Sequence, residues 1–190
     1  MDLISLIFGA IFINNIVLSK FLGVCPFLGV SKKSSSAVGM GLAVTFVIFA
    51  ASLISYFLYY YVLVPNNIEY METISFILVI ASFVQIVEMA IKKFSAPLYE
   101  SLGVYLPLIT TNCTVLYVAQ QNITAGYDLI HTIIYSLAVP IGFMMTLYLF
   151  ACLRERLDSA NTSKSWKGNP IALVTAALMA LAFMGLSGIV

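Results

Sequence analysis

Two cysteines lie where apolar segments of the chain are interrupted, and thiols are the side chains here best suited to redox or metal chemistry. Cys25 directly precedes Pro26 within residues 20–33, KFLGVCPFLGVSKK, and Cys113 ends residues 106–113, LPLITTNC. Proline has no amide hydrogen and disfavours helical geometry at the residue before it, so an N-terminal helix should break at or near the Cys25 thiol. In membranes, broken helices are where ions, substrates and cofactors bind. Cys25 and Cys113 therefore form the candidate site.

Two such thiols are compatible with several kinds of chemistry. A [2Fe–2S] cluster takes four cysteinate ligands, as does a structural zinc site, so a metal centre would need further ligands from a second subunit. Alternatively, the pair cycles between dithiol and disulfide and carries electrons without a metal. In a third interpretation the chain is a plain inverted-repeat transporter whose cysteines are incidental, small buried hydrophobic residues. For Cys152, which lies in an uninterrupted apolar segment, a role as a small buried hydrophobic residue is preferred.

Other polar residues within the apolar segments are candidates for an ion path. A carboxylate inside a membrane is a functional hypothesis by default, although Lys92 follows Glu88 by one helical turn and offers an ion pair. For the amides and hydroxyls, the competing interpretation is hydrogen bonding between helices and capping of exposed backbone groups. The candidates are Asn14, Asn15, Glu88, Thr111 and Asn112.

The composition indicates an integral membrane protein. Of the 190 residues, 62% are hydrophobic and 9% are charged, and the mean hydropathy is +1.03. A soluble domain of this size cannot bury so much apolar surface. The N-terminus lacks the basic region of a cleavable signal peptide, so the first segment is predicted to be retained. The lipid bilayer is thus an expected partner, and the absence of a basic stripe argues against nucleic acid.

Six apolar segments reach the length of about 20 residues that a transmembrane helix needs. Eight of the nine Lys and Arg residues follow the first, third and fifth segments, so these connections are predicted to be cytoplasmic and both termini external. The segments are residues 3–30, 38–61, 74–91, 98–119, 129–153 and 171–190.

Three segments precede about residue 97 and three follow it, and an odd number per half inverts the second half relative to the first. The predicted fold is an all-α integral membrane protein with six transmembrane helices. These form one membrane domain of two inverted three-helix repeats, residues 1–97 and 98–190, and helices 1 and 4 are broken.

Several motifs, taken together, resemble the A-type subunits of the bacterial Rnf electron-transport complex over essentially the whole chain. The related E-type subunits of the sodium-pumping NADH:quinone reductase usually have Phe at the position of Lys20 and Thr at that of Pro26, which favours the Rnf family. The motifs are Asn14–Asn15, residues 20–33, GMGLA at 39–43, LPLITTNC at 106–113, RERL at 154–157 and LMALAFMG at 178–185.

The resemblance implies a six-span subunit with inverted repeats that pairs with a homologous E-type subunit of opposite orientation. In the family, each partner gives two cysteines to one intramembrane [2Fe–2S] cluster, and by motif these correspond to Cys25 and Cys113. The complex, in the bacterial inner membrane, passes electrons between reduced ferredoxin and NAD⁺ and moves Na⁺ or H⁺; NAD, flavins and other clusters belong to other subunits. An electron added at low dielectric favours a nearby cation, which gives a physical reason for the coupling.

Overall fold

The computed structural model describes residues 3–31, 34–94, 108–109, 112–159 and 168–187, and all regular structure in these ranges is helical. Several residues used in the predictions lie outside the described residues, so the predictions that rest on them stay untested. They are Lys32, Lys33, Pro107, Thr110, Thr111, Lys164 and Lys167.

The helices follow the apolar segments closely. They are α1 Leu3–Phe8, continued by a π-helical turn Gly9–Ile13; α2 Ile16–Lys20; α3 Val24–Val30; α4 Ser34–Leu58, continued by Tyr59–Leu63 and Val64–Asn66; α5 Glu72–Phe94, preceded by a 3₁₀ turn Glu69–Met71; α6 Cys113–Thr124; α7 Leu129–Ser159; and α8 Asn169–Ser187.

Three of the described helical stretches are long and apolar enough to cross a membrane, which confirms the all-helical membrane class. They are Ala37–Asn66, Glu69–Ala90 and Leu129–Leu157, and they match the second, third and fifth predicted segments. A shorter apolar stretch, Asn169–Gly185, matches the sixth. The arrangement of six spans in two inverted repeats stays a prediction.

The first apolar segment is interrupted twice, and both interruptions precede the Cys25 thiol. Asn14 caps the π-helical turn, and Phe21, whose φ of 52° is left-handed, caps α2. Gly23 follows with a φ of 74°, a conformation that glycine adopts without strain, and α3 begins immediately after it. Pro26 therefore lies in the first turn of α3 rather than at the break. Proline is tolerated there, because the backbone amides of the first turn have no partner within the helix.

Internal contacts divide the chain into two compact units, Met1–Leu42 with Ala138–Val190, and Ala43–Leu137. The two boundaries fall within α4 and α7. In the first unit the rings of Phe27 and Phe150 stack with their centroids 4.2 Å apart, and both are buried. The core of the second unit includes the buried side chains of Val44, Ile48, Phe76, Val115 and Val118.

Candidate functional site

Cys25 is the second residue of α3 and its side chain is exposed. The left-handed Gly23 caps the helix, and the Phe27 amide donates to the Gly23 carbonyl at 3.2 Å, which closes the first turn around the cysteine. The short helix therefore presents the Cys25 thiol at its beginning rather than burying it among apolar neighbours.

Cys113 is the first residue of α6 and is also exposed. Asn112 caps this helix: it has an extended backbone, and its side-chain oxygen accepts a hydrogen bond from the Thr114 amide at 3.0 Å. The cap explains why α6 begins at the cysteine. The beginning of a helix carries partial positive charge, which stabilises negative charge placed there, such as that of a metal-bound thiolate.

The helix that carries Cys113 is held at its far end by polar contacts within the second unit. The Gln120 side-chain amide donates to the Thr73 hydroxyl of α5 at 2.9 Å, and the Asn122 amide donates to the Ser136 hydroxyl of α7 at 3.2 Å. Because these bonds fix the rotation of α6 about its axis, the direction in which Cys113 points is fixed as well.

The two candidate cysteines thus share a local setting, the first turn of a helix that starts after an interruption. Both side chains are exposed in this chain, so neither is packed into its described core. Cys25 belongs to the first unit and Cys113 to the second. Cys152 is half-buried in the uninterrupted α7, in line with a packing role.

In the part of the chain that the structure describes, two buried polar atoms of the residues that flank Cys113 have no hydrogen-bond partner: Nδ2 of Asn112 and Oγ1 of Thr114. An unsatisfied buried donor is costly, and donors next to cysteine ligands commonly tune metal–thiolate centres. An exposed thiol at the start of a helix, flanked in the sequence by two residues with unused polar atoms, fits a sulfur-ligated, negatively charged group. Among the described residues no three His, Cys, Asp or Glu side chains come together as a metal site.

The two neighbouring asparagines of the predicted ion path differ completely in environment. Asn14 is exposed, whereas Asn15 is 1% exposed. The Asn15 side-chain oxygen accepts from the Val17 amide at 3.2 Å and so caps α2, and its Nδ2 donates to the carbonyls of Ile11 at 3.1 Å and Gly142 at 3.0 Å. Its amide therefore ties α2 to α7.

Glu88 is half-buried on α5 and lines two pockets of the second unit. One is a small cavity of about 50 Å³ whose other lining side chains are all apolar, among them Val84 and Ile109. The other is a more open pocket of about 270 Å³ that Glu88 shares with Gln85, Met89 and Lys92. Glu88 thus lines both an apolar cavity and a pocket that contains a second polar and a basic side chain.

The burial of Arg154 was not predicted from the sequence, where this residue was assigned to a basic cytoplasmic connection and to the RERL motif at 154–157. Its side chain is 3% exposed. The spacing of Phe143, Leu147, Phe150 and Arg154 along α7 is 4, 3 and 4 residues, which places them on one helix face, and all four are buried. This spacing is the signal that could have predicted a buried arginine.

Apolar helices of membrane-spanning length define a multi-pass membrane protein. A family model described as "Rnf-Nqr subunit, membrane protein" matches residues 3–190. The chain belongs to the Rnf-Nqr family.

Relatives match over nearly their whole length. The A-type subunit of the "Na(+)-translocating ferredoxin:NAD(+) oxidoreductase complex" of Acetobacterium woodii is 56% identical over 188 residues, which cover 99% of this chain and 98% of the relative. The A-type subunits of the "Ion-translocating oxidoreductase complex" of Syntrophotalea carbinolica and Aliivibrio salmonicida are 51% and 52% identical over 189 residues, which cover 100% of this chain and 98% of each relative.

Proposed function

We propose that this chain is the A-type membrane subunit of an Rnf-type ion-translocating ferredoxin:NAD⁺ oxidoreductase complex. Cys25 and Cys113 would supply two of the four ligands of an intramembrane [2Fe–2S] cluster, and a homologous E-type subunit of inverted topology would supply the other two. The observation that carries the proposal is that both cysteines are exposed in the first turns of α3 and α6. The names of the relatives support the wider assignment.

The chain's own residues would prepare half of the cluster site. The α6 start and its cap, Asn112, place Cys113 where negative charge is stabilised, and the residues on either side of it, Asn112 and Thr114, carry unused polar atoms. Gly23 allows the turn that presents Cys25. When bound, the cluster would supply one-electron transfer within the membrane.

The proposal includes a topology for the chain in the bacterial inner membrane. Six spans in two inverted repeats, with both termini outside, agree with the basic residues of the connections and with α4, α5, α7 and α8. The remaining Rnf subunits would carry NAD, flavins and the other clusters. The driven ion would be Na⁺ or H⁺, and the half-buried Glu88 is our candidate to meet it, since it is an acidic residue of a membrane-spanning helix and lines two pockets.

Iron analysis of the purified complex tests the proposal. The complex is prepared anaerobically with wild-type chain, with Cys25→Ser and with Cys113→Ser, and Cys152→Ser is the matched control. We expect each of the first two variants to lose about two irons per complex, and the control to lose none. An unchanged iron content in assembled Cys25→Ser and Cys113→Ser complexes would refute the ligand assignment.

A membrane thiol–disulfide carrier is the second candidate, because exposure of both thiols also suits disulfide exchange. It predicts a reversible Cys25–Cys113 disulfide and the same iron content in wild-type and variant complexes. Mass spectrometry of alkylated chain under reducing and oxidising conditions distinguishes it from the cluster.

A further inference from the structure

Arg154 makes its contacts at the C-terminal end of the helix that carries Cys25. Its Nη1 donates to the Leu28 carbonyl at 2.8 Å and to the Ser31 hydroxyl at 2.9 Å. Leu28 is in the last turn of α3 and Ser31 is the residue that caps it. Nη2 makes a longer contact of 3.5 Å with the side-chain oxygen of Asn169, the first residue of α8.

The charge of Arg154 suits this position. An arginine keeps its charge in proteins, and a buried charge is costly without compensation. The last carbonyls of a helix have no partner within it and carry partial negative charge, so a cation bonded to them is favourable. The Leu28 carbonyl is one of these. The partners seen in the described part of the chain are a carbonyl, a hydroxyl and an amide oxygen, and Nε of Arg154 has none.

A second contact joins the same two helices. Phe27 of α3 stacks on Phe150 of α7 at 4.2 Å, and Phe150 lies one helical turn before Arg154. α3 has only seven residues, so it has little stability of its own and its position depends on such contacts. Cys25 lies one turn before Leu28 in this helix, so a displacement of the Arg154 contact displaces the thiol.

We propose that Arg154 is a positioning residue for Cys25, which holds the end of α3 on α7 and thereby sets where the thiol lies. The part that concerns the thiol as a ligand rests on the proposed function. The part that concerns α3 does not, because the hydrogen bonds are made by Leu28 and Ser31 rather than by the cysteine. Binding sites need such support, since ligands must be held to within about 0.5 Å.

Hydrogen exchange tests the hold on α3 without any cluster. Complexes that carry Cys25→Ser as background are compared with and without Arg154→Gln, and the amides of residues 24–30 are followed by mass spectrometry. We expect exchange to become about tenfold faster, because two hydrogen bonds from a charged donor are lost. Arg156→Gln is the matched control, since Arg156 is exposed two residues away, and should change nothing.

Two milder variants keep the test decisive if Arg154→Gln does not assemble. Arg154→Lys retains the charge without the planar fork and should give an intermediate rate. Ser31→Ala removes one of the two close acceptors and should raise exchange about threefold. Exchange of residues 24–30 at the background rate in any assembled Arg154 variant would overturn the proposal.

A spectroscopic measurement in the native cysteine background tests the effect on the thiol. We expect Arg154→Gln to lower the iron content or alter the g values of the reduced complex, and Arg154→Lys to restore them in part. If the α3 amides exchange faster in Arg154→Gln but the iron content and the spectrum of the reduced complex are unchanged, Arg154 does not position Cys25. If the iron content of wild-type complex equals that of the Cys25→Ser and Cys113→Ser complexes, the proposed cluster fails, while the exchange experiment still decides whether Arg154 holds α3.

Discussion

Replacing Asn15 should separate two structural tasks that one buried side chain performs. Its oxygen caps α2 through the Val17 amide, and its Nδ2 bridges the carbonyls of Ile11 and Gly142. Loss of an N-cap costs about 1 kcal/mol, and a hydrogen bond between membrane helices is worth about 0.6–2 kcal/mol. Asn15→Ala loses both and should lower the free energy of unfolding by about 2–3 kcal/mol.

A short series of variants divides this loss. Asn15→Ser keeps an oxygen that can cap α2 but loses the Nδ2 bridge, so it should cost about 1–2 kcal/mol. Asn15→Asp keeps the cap but directs a buried carboxylate at two carbonyl oxygens, so it should be more harmful than Asn15→Ala. Asn14→Ala is the matched control: its side chain is exposed, and the change should stay within about 0.5 kcal/mol.

The assay is reversible unfolding of the purified protein in mixed micelles titrated with sodium dodecyl sulfate and followed by circular dichroism. The expected order of destabilisation is Asn14→Ala, Asn15→Ser, Asn15→Ala, Asn15→Asp. Equal stability of the Asn14→Ala and Asn15→Ala variants would refute the interpretation of Asn15 as a cap and bridge. An Asn15→Asp variant as stable as Asn15→Ser would refute the Gly142 contact in particular.

Two further predictions concern the close packing of α7 against the Ile11 backbone and the proposed ion path. Gly142→Ala should lower the free energy of unfolding by about 1–3 kcal/mol, since the added Cβ would lie 3.0 Å from the Ile11 carbonyl oxygen. Gly39→Ala is the control: its added Cβ would have no described neighbouring atom within 4 Å, so the same titration should show no loss of stability. Glu88→Gln should slow ion uptake into vesicles about tenfold, equivalent to about 1.4 kcal/mol in the barrier, and leave iron content unchanged. The exposed Glu69→Gln is its control, and equal uptake by the two variants would exclude Glu88 from the path.

The positions of the long helices could be predicted because a run of about 20 apolar residues has few alternatives in a membrane. The exact positions of the interruptions could not be predicted in this way. Pro26 predicted a break at or near Cys25, and an interruption lies close by, at Phe21–Gly23. Its exact position could not be read from Pro26, because proline is tolerated in the first turn of a helix. A glycine between the helices, Gly23, was the better signal of the turn.

The candidate cysteines were found from the sequence, but their exposure was not, because exposure depends on which helices pack beside each first turn. The same limit applies to Asn14 and Asn15, which are adjacent in the sequence and opposite in burial. Arg154 shows how a charged residue can be misjudged from position alone: it lies near the end of an apolar segment, yet the spacing of its buried neighbours on α7 indicates the core face.

The measurement that tests the shared cluster most directly is the electron paramagnetic resonance spectrum of the reduced, anaerobically purified complex. The proposed function predicts the signal of a reduced [2Fe–2S] cluster, absent or shifted in both Cys25→Ser and Cys113→Ser and unchanged in Cys152→Ser. A signal identical in all four complexes, or the absence of a [2Fe–2S] signal from an intact wild-type complex, would contradict the assignment of Cys25 and Cys113 as cluster ligands.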